Sequence, residues 1–123
     1  VYIGEYINGK PEGYGEYYWS NGSCFKGSFA NGLRHGKGIW RKGDVNDDSY
    51  EGEYINDKKN GQGVFRWASG NVYKGTFAND LRHGYAEMYW TDGSYYKGMW
   101  ERGIQHGEGI LKMKGEEPLQ GMF

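Results

Sequence analysis

One frame repeats along the whole chain. Counting from Tyr2, glycine falls at +2, an aromatic residue at +4, glycine at +7, and further glycines at +11 and +13. Such periodicity outranks any local signal, because each copy must then be one structural unit stacked on the next. The frame restarts at Phe25, Tyr50, Tyr73 and Tyr96, and residues 119–123 open a sixth, partial copy. The +2 position reads Gly4, Gly27, Gly52, Gly75, Gly98 and Gly121, and +4 reads Tyr6, Phe29, Tyr54, Phe77, Trp100 and Phe123. The +11 position is Gly13, Gly36, Gly61, Gly84 and Gly107, and +13 is Gly15, Gly38, Gly63, Ala86 and Gly109. Copies are 23 residues apart, except across 42–49, where two residues are inserted. Gly43 and Gly115 lie outside the frame, so Gly115 reads as replaceable.

Each copy reads as two short strands of period-two alternation, rich in aromatic residues. Asn8-Gly9, Asn31-Gly32, Asn56-Asp57 and Asn79-Asp80 separate the strands within copies, while Asn21-Gly22, Ser69-Gly70 and Asp92-Gly93 separate the copies. These pairs supply the positive φ that tight hairpins need. Glycine recurs too often for a helix, where each interior one costs about 1 kcal/mol. The expectation is an all-β chain: an elongated, single-layer antiparallel sheet of about eleven strands, roughly 50 Å long at about 4.8 Å per strand.

Parity explains glycine inside strands. Tyr2, Gly4 and Tyr6 share a face, and Gly13, Gly15, Tyr17 and Trp19 are expected on the same face of the return strand. A ring on one strand then covers the bare backbone of its neighbour, and repetition makes a ladder that sets the register. The opposite face, with Glu5, Glu16, Lys26, Lys37, Glu51, Glu53, Lys74, Glu87 and Lys97, is charged.

Only 19 of 123 residues are Leu, Ile, Val or Phe, a disorder-like share, but 12 Tyr, 5 Trp and a net charge of −1 contradict that class. Fifteen Lys/Arg against sixteen Asp/Glu exclude a dominant nucleic-acid role. No run approaches the roughly 18 apolar residues of a membrane helix. The lone Cys24 has no disulfide partner in the chain, which favours a reducing, cytoplasmic setting. The chain starts and stops within the pattern, and is expected to be a piece of a longer protein.

The pattern Tyr-x-Gly-x-aromatic-x-x-Gly-x-x-x-Gly-x-Gly resembles the MORN (membrane occupation and recognition nexus) repeat. The resemblance covers 1–123 as one array, with copies starting at about 2, 25, 50, 73, 96 and 119. It implies a non-catalytic docking, oligomerisation or membrane-proximal module without cofactor, in cytoplasmic assemblies with cytoskeletal or membrane association. This sequence departs from the pattern at Asp57 and Asp80, which replace glycine, at Ala86, and at the insertion.

Candidate sites are few. His35, His83 and His106 all precede the +11 glycine, so whole hairpins separate them and no metal or acid–base site is expected. The 44–48 acidic run opens like a calcium loop but has Ser49 and Ile55 where an EF-hand needs Gly and Glu. Asn21-Gly22-Ser23 is a sequon explained by its turn. Arg41-Lys42 and Lys58-Lys59 are pairs, fewer than the cluster of about four to eight that reads anionic lipid. The expected partner-binding groove is Tyr17, Trp19, Trp40, Phe65, Trp67, Met88 and Trp90 on the ladder face, because Trp and Tyr dominate interface energies. Tyr14, Tyr18, Tyr85 and Tyr89 on the opposite face are the competing set. The expected partner is a protein segment, helical or extended. Weak phospholipid contact, self-association through sheet edges and a regulatory role in a larger enzyme are the alternatives.

Overall fold

The computed structural model describes residues 1–43 and 46–122. Asp44 and Val45 of the acidic run, and the sixth +4 ring, Phe123, lie outside the described residues. Eleven strands follow in chain order: β1 (Tyr2–Ile7), β2 (Lys10–Tyr18), β3 (Cys24–Ala30), β4 (Leu33–Arg41), β5 (Ser49–Ile55), β6 (Lys58–Arg66), β7 (Val72–Ala78), β8 (Leu81–Tyr89), β9 (Tyr95–Glu101), β10 (Ile104–Lys112) and β11 (Leu119–Met122). They form one open antiparallel sheet in sequence order, a meander without crossovers. No helix among the described residues is long and apolar enough to cross a membrane.

The turns within copies take the positive φ their residues suit: 53° and 76° at Asn8 and Gly9, and 47° and 75° at Asn56 and Asp57. The fifth hairpin turns on Arg102 and Gly103, and there an arginine holds φ at 50°. Asparagine and aspartate tolerate this region through local hydrogen bonding, whereas arginine lacks that compensation.

A line of bare backbone crosses the sheet. Gly4 pairs with Gly15, Gly15 with Gly27, Gly27 with Gly38, Gly38 with Gly52, and Gly52 with Gly63. It continues from Gly63 to Gly75, Ala86, Gly98, Gly109 and Gly121. The first ring of each copy lies along this line. A Cβ built on Gly52 would stand 2.6 Å from the Tyr50 hydroxyl, and one on Gly63 would stand 2.6 Å from Tyr50 Cζ. The hydroxyl then donates to the carbonyl three residues on: Tyr2 to Glu5 at 2.9 Å, Tyr50 to Glu53 at 3.0 Å, Tyr73 to Thr76 at 2.7 Å and Tyr96 to Met99 at 2.9 Å.

Strict alternation breaks at the +11 glycine. From the Gly4–Gly15 pair to the Tyr6–Pro11 pair, β1 advances two residues and β2 four. The same shift recurs in the other hairpins. The extra residues form a bulge with the +11 glycine at its middle, at φ 77° in Gly13 and 94° in Gly61. A side chain there would point to the charged face: the carboxylates of Glu5 and Glu53 occupy the space a Cβ would need. Gly13 therefore does not share the ladder face with Gly15. Gly115 is also not freely replaceable, because it holds φ at 76° in the turn closed by the Glu116 N–H and the Met113 carbonyl.

The ladder rings make the core. Each of the +4 rings Phe29, Tyr54, Phe77 and Trp100 meets edge-on both the first ring of its own copy and that of the copy before. Phe29 thus packs on Phe25 at 5.3 Å and on Tyr2 at 5.1 Å, and Tyr54 on Tyr50 at 5.3 Å and on Phe25 at 5.1 Å. The zigzag runs on through Phe77, Tyr73, Trp100 and Tyr96. Edge-to-face geometry matches the ring quadrupoles and adds to the gain from burial. Phe25, Tyr50, Tyr73 and Tyr96 are fully buried. Ala86, where other copies have glycine, sits under this column: Tyr73 leans to 63° against Phe77, while Tyr50 stands at 89° to Tyr54.

Candidate functional site

The ladder face is lined by its own rings. The expected groove residues form two rows beside the zigzag: Tyr17, Trp40, Phe65 and Met88 at +15, and Trp19, Trp67 and Trp90 at +17. Met88 is buried, at 4% exposure, and has no surface to offer. The other six are half-buried against the ring core. Tyr17 packs on Trp19 and Phe65 on Trp67, both at 4.8 Å, and Trp40 lies 6.2 Å from Phe65. Each +17 tryptophan also closes an inter-copy turn, as in the bond from the Trp67 N–H to the Asn71 carbonyl at 3.0 Å. Trp90 lines a crevice of about 320 Å³ with Asn71, Asp92, Ser94 and Met113.

Cations cap the ring column from the hairpin-tip side. The Arg34 guanidinium lies 4.8 Å over Tyr54 and 5.7 Å over both Trp19 and Phe25. Lys59 does the same over Tyr50 and Phe65, and Arg82 lies 4.5 Å over Trp100. Each reaches into the turn of the next copy. Arg34 Nε meets Asp57 Oδ1 at 2.6 Å, Lys59 Nζ meets Asp80 Oδ1 at 3.4 Å, and Arg82 donates to the Gly103 carbonyl at 3.0 Å. Backbone bonds accompany them, from Asp57 N–H to Arg34 O at 2.8 Å and from Asp80 N–H to Lys59 O at 2.9 Å. Asp57 and Asp80 are therefore inter-copy staples. Part of the signal was present in the sequence, as aspartate replaces the turn glycine after Arg34 and Lys59 at +9, whereas Arg82 at +9 is followed by Gly103.

Burial holds the Tyr50, Tyr54 and Tyr73 hydroxyls protonated far above the ordinary tyrosine range, and it lowers the Arg82 guanidinium. On the charged face Tyr18 bonds to Glu16 and Tyr89 to Glu87. That bond, with some desolvation, pushes Tyr89 up to about 12.

The charged face carries a concavity of about 940 Å³, a trough running from β2 to β8. Its floor includes Ile39 and Val64 between Lys26, Lys37, Lys74, Glu51 and Glu87. Tyr14 and Tyr85 stand at its ends, 62% and 55% exposed. Sequence alternation placed these residues on one face but carried no sign that this face is the hollow one.

The remaining candidates do not converge. His35 Nδ1 lies 3.4 Å from the Asn56 N–H, and His106 Nε2 lies 3.3 Å from Glu101, on separate hairpins. Among the described residues no three His, Cys, Asp or Glu side chains are placed to hold a metal ion. Asp48, at the end of the acidic run, accepts from the Ala68 N–H at 2.7 Å and pins the insertion to the next inter-copy turn. Asn21 accepts from the Ser23 N–H at 3.0 Å within its own turn.

A one-layer meander of in-phase hairpins, each with a ring laid on a glycine pair or, in one copy, on Gly75 and Ala86, defines an open repeat-sheet protein. The MORN repeat model matches residues 2–24, 25–44, 50–72, 73–95 and 96–114, and the chain belongs to that family. Repeats of this family are generally protein- or membrane-interaction modules, non-catalytic in themselves. A stretch of 48 residues is 38% identical to alsin of Rattus norvegicus, and equally to alsin of Mus musculus and Homo sapiens. It covers 39% of this chain and 3% of each alsin, so the chain matches only a small part of those relatives.

Proposed function

We propose that the array is a non-catalytic docking module that holds a protein segment in the trough of its charged face, within a larger cytoplasmic assembly. The observation that carries this reading is the trough itself, about 940 Å³ between the exposed rings of Tyr14 and Tyr85. A concave surface with an apolar centre and aromatic anchors at its ends suits an extended or helical partner. The floor mixes lysine with glutamate, which favours a peptide of mixed charge over an anionic lipid surface.

The second reading keeps the partner on the ladder face, against Tyr17, Trp19, Trp40, Phe65, Trp67 and Trp90. Their contiguous half-buried ring area and the Trp90 crevice favour it. Photoreactive residues at positions 14, 85, 67 and 90 separate the two, read by mass spectrometry of the adducts with a partner purified from the native assembly. Adducts from 14 and 85, with binding weakened by Tyr14→Ser and Tyr85→Ser, are expected, each loss about 1–2 kcal/mol on the hot-spot scale. Adducts from 67 and 90 alone would transfer the site to the ladder face. Co-sedimentation with phosphatidylserine vesicles that persists at about 0.15 M salt would replace both readings with a membrane role.

A further inference from the structure

One row of side chains runs along the trough floor, and its charge order is symmetric about the middle strand. Register sets Glu16 opposite Lys26, Lys26 opposite Ile39, and Ile39 opposite Glu51. It then sets Glu51 opposite Val64, Val64 opposite Lys74, and Lys74 opposite Glu87. Outward from Glu51 on β5, each side therefore gives an aliphatic residue, a lysine and a glutamate. The two outer glutamates are engaged, since Tyr18 donates to Glu16 and Tyr89 to Glu87. Tyr14 and Tyr85 stand on the same strands as those glutamates, β2 and β8, and complete the symmetry.

Lys26, Glu51, Lys74 and Lys97 hold the same +1 place in successive copies, so the sign reverses at Glu51 alone. The fold does not consume the three charges inside the trough. Lys26, Glu51 and Lys74 are exposed, and among the described residues none of them is in an ion pair. Ile39 and Val64 stand between them and keep Glu51 two strand spacings, about 9.6 Å, from either lysine. The complement is a partner cation over Glu51 with an anion on each side.

The same spacing selects a backbone. Polyproline II has three residues per turn at about 3.1 Å each, so every third side chain returns to one face after about 9.3 Å. One face of a β-strand repeats at about 6.7 Å. Seven residues of α-helix take about 10.5 Å, too long for the inside of a concave surface. Resting on the docking reading above, we infer that the trough takes a polyproline II protein segment. A basic residue lies on Glu51, acidic residues three positions to either side lie on Lys26 and Lys74, and prolines rest on the Tyr14 and Tyr85 rings. From β2 to β8 the site spans six spacings, about 29 Å, or about nine to ten such residues. Its symmetry admits the segment in either chain direction.

Two acetylated and amidated probes test this: Pro-Pro-Asp-Pro-Pro-Arg-Pro-Pro-Asp-Pro-Pro, and the same peptide with aspartate at its centre. They are titrated into the isotope-labelled 123-residue chain at about 50 mM salt, with affinity and location read from amide resonances. The arginine-centred probe should bind at least about tenfold more tightly, because an attraction at Glu51 is exchanged for a repulsion. Its shifts should centre on Lys26, Glu51 and Lys74. Glu51→Lys should reverse the order of the two probes. That change fits the fold, since Lys26, Lys74 and Lys97 occupy the same place in other copies. Tyr14→Ser and Tyr85→Ser should weaken both probes by a similar factor and leave their order alone. Equal affinities, an order that Glu51→Lys leaves unchanged, or no binding of either probe at about 1 mM overturns the inference. The docking reading survives each of these results if partner adducts still form at positions 14 and 85. Probe shifts at Trp67 and Trp90 instead would overturn both.

Discussion

Tyr50 needs hydrogen as the side chain at both positions beneath it, Gly52 and Gly63. A Cβ at either would enter the ring's own volume, and the paired backbones would also press on it. One added methyl is tolerated in the array, since Ala86 stands in the glycine line and is fully buried. A β-branched side chain exceeds that tolerance. Gly63→Val is expected to cost about 1–3 kcal/mol through overpacking, and Gly121→Val, in open space, less than about 0.5 kcal/mol. Paired thermal melts check this, and equal losses would mean that the rings do not depend on bare backbone. Gly61→Val is costly for another reason, the left-handed φ of 94° at its bulge. The ring column is not what it would disturb.

At the scale of the element, the ring zigzag joins all five complete copies into one unit, and three of its tyrosines give it a pH limit. Burial raises the Tyr50, Tyr54 and Tyr73 hydroxyls above their unfolded value of 10.0. A raised folded value means the stabilisation is fully present below pH 10 and is lost as pH climbs toward the folded values. The unfolded chain releases these protons first. Each withheld ionisation steepens the loss by about 1.4 kcal/mol per pH unit. Circular dichroism should therefore show a steep, cooperative unfolding beginning above about pH 10, and Tyr50→Phe should make it shallower. Independent, gradual tyrosine titration with the sheet intact would contradict the zigzag as a single core. Much of this element was legible in the spacing alone, since alternation converts Tyr2, Gly4 and Tyr6 directly into one face. The bulge was not legible. Parity assumes that both strands advance one residue per step, and β2 advances four while β1 advances two. That slip moved the +11 row to the charged face. The Arg34–Asp57 staple was half-visible, as an aspartate where a glycine was due, but its partner lies a whole copy away.

The whole molecule is a slab one sheet thick, with one face lined by its own rings and the other hollowed between Tyr14 and Tyr85. The trough escaped the sequence reading because side-chain alternation assigns faces without saying which way a long sheet bends. Every functional statement rests on the slab standing open. A sheet rolled into a closed barrel, or folded back on itself, would bury the trough and leave no docking face. Small-angle scattering, extrapolated to low concentration, tests this most directly. Eleven strands at about 4.8 Å each give a slab roughly 50 by 30 by 12 Å, and a radius of gyration of about 17 Å. A value near 14 Å, as expected for a compact domain of this length, would contradict the open one-layer array.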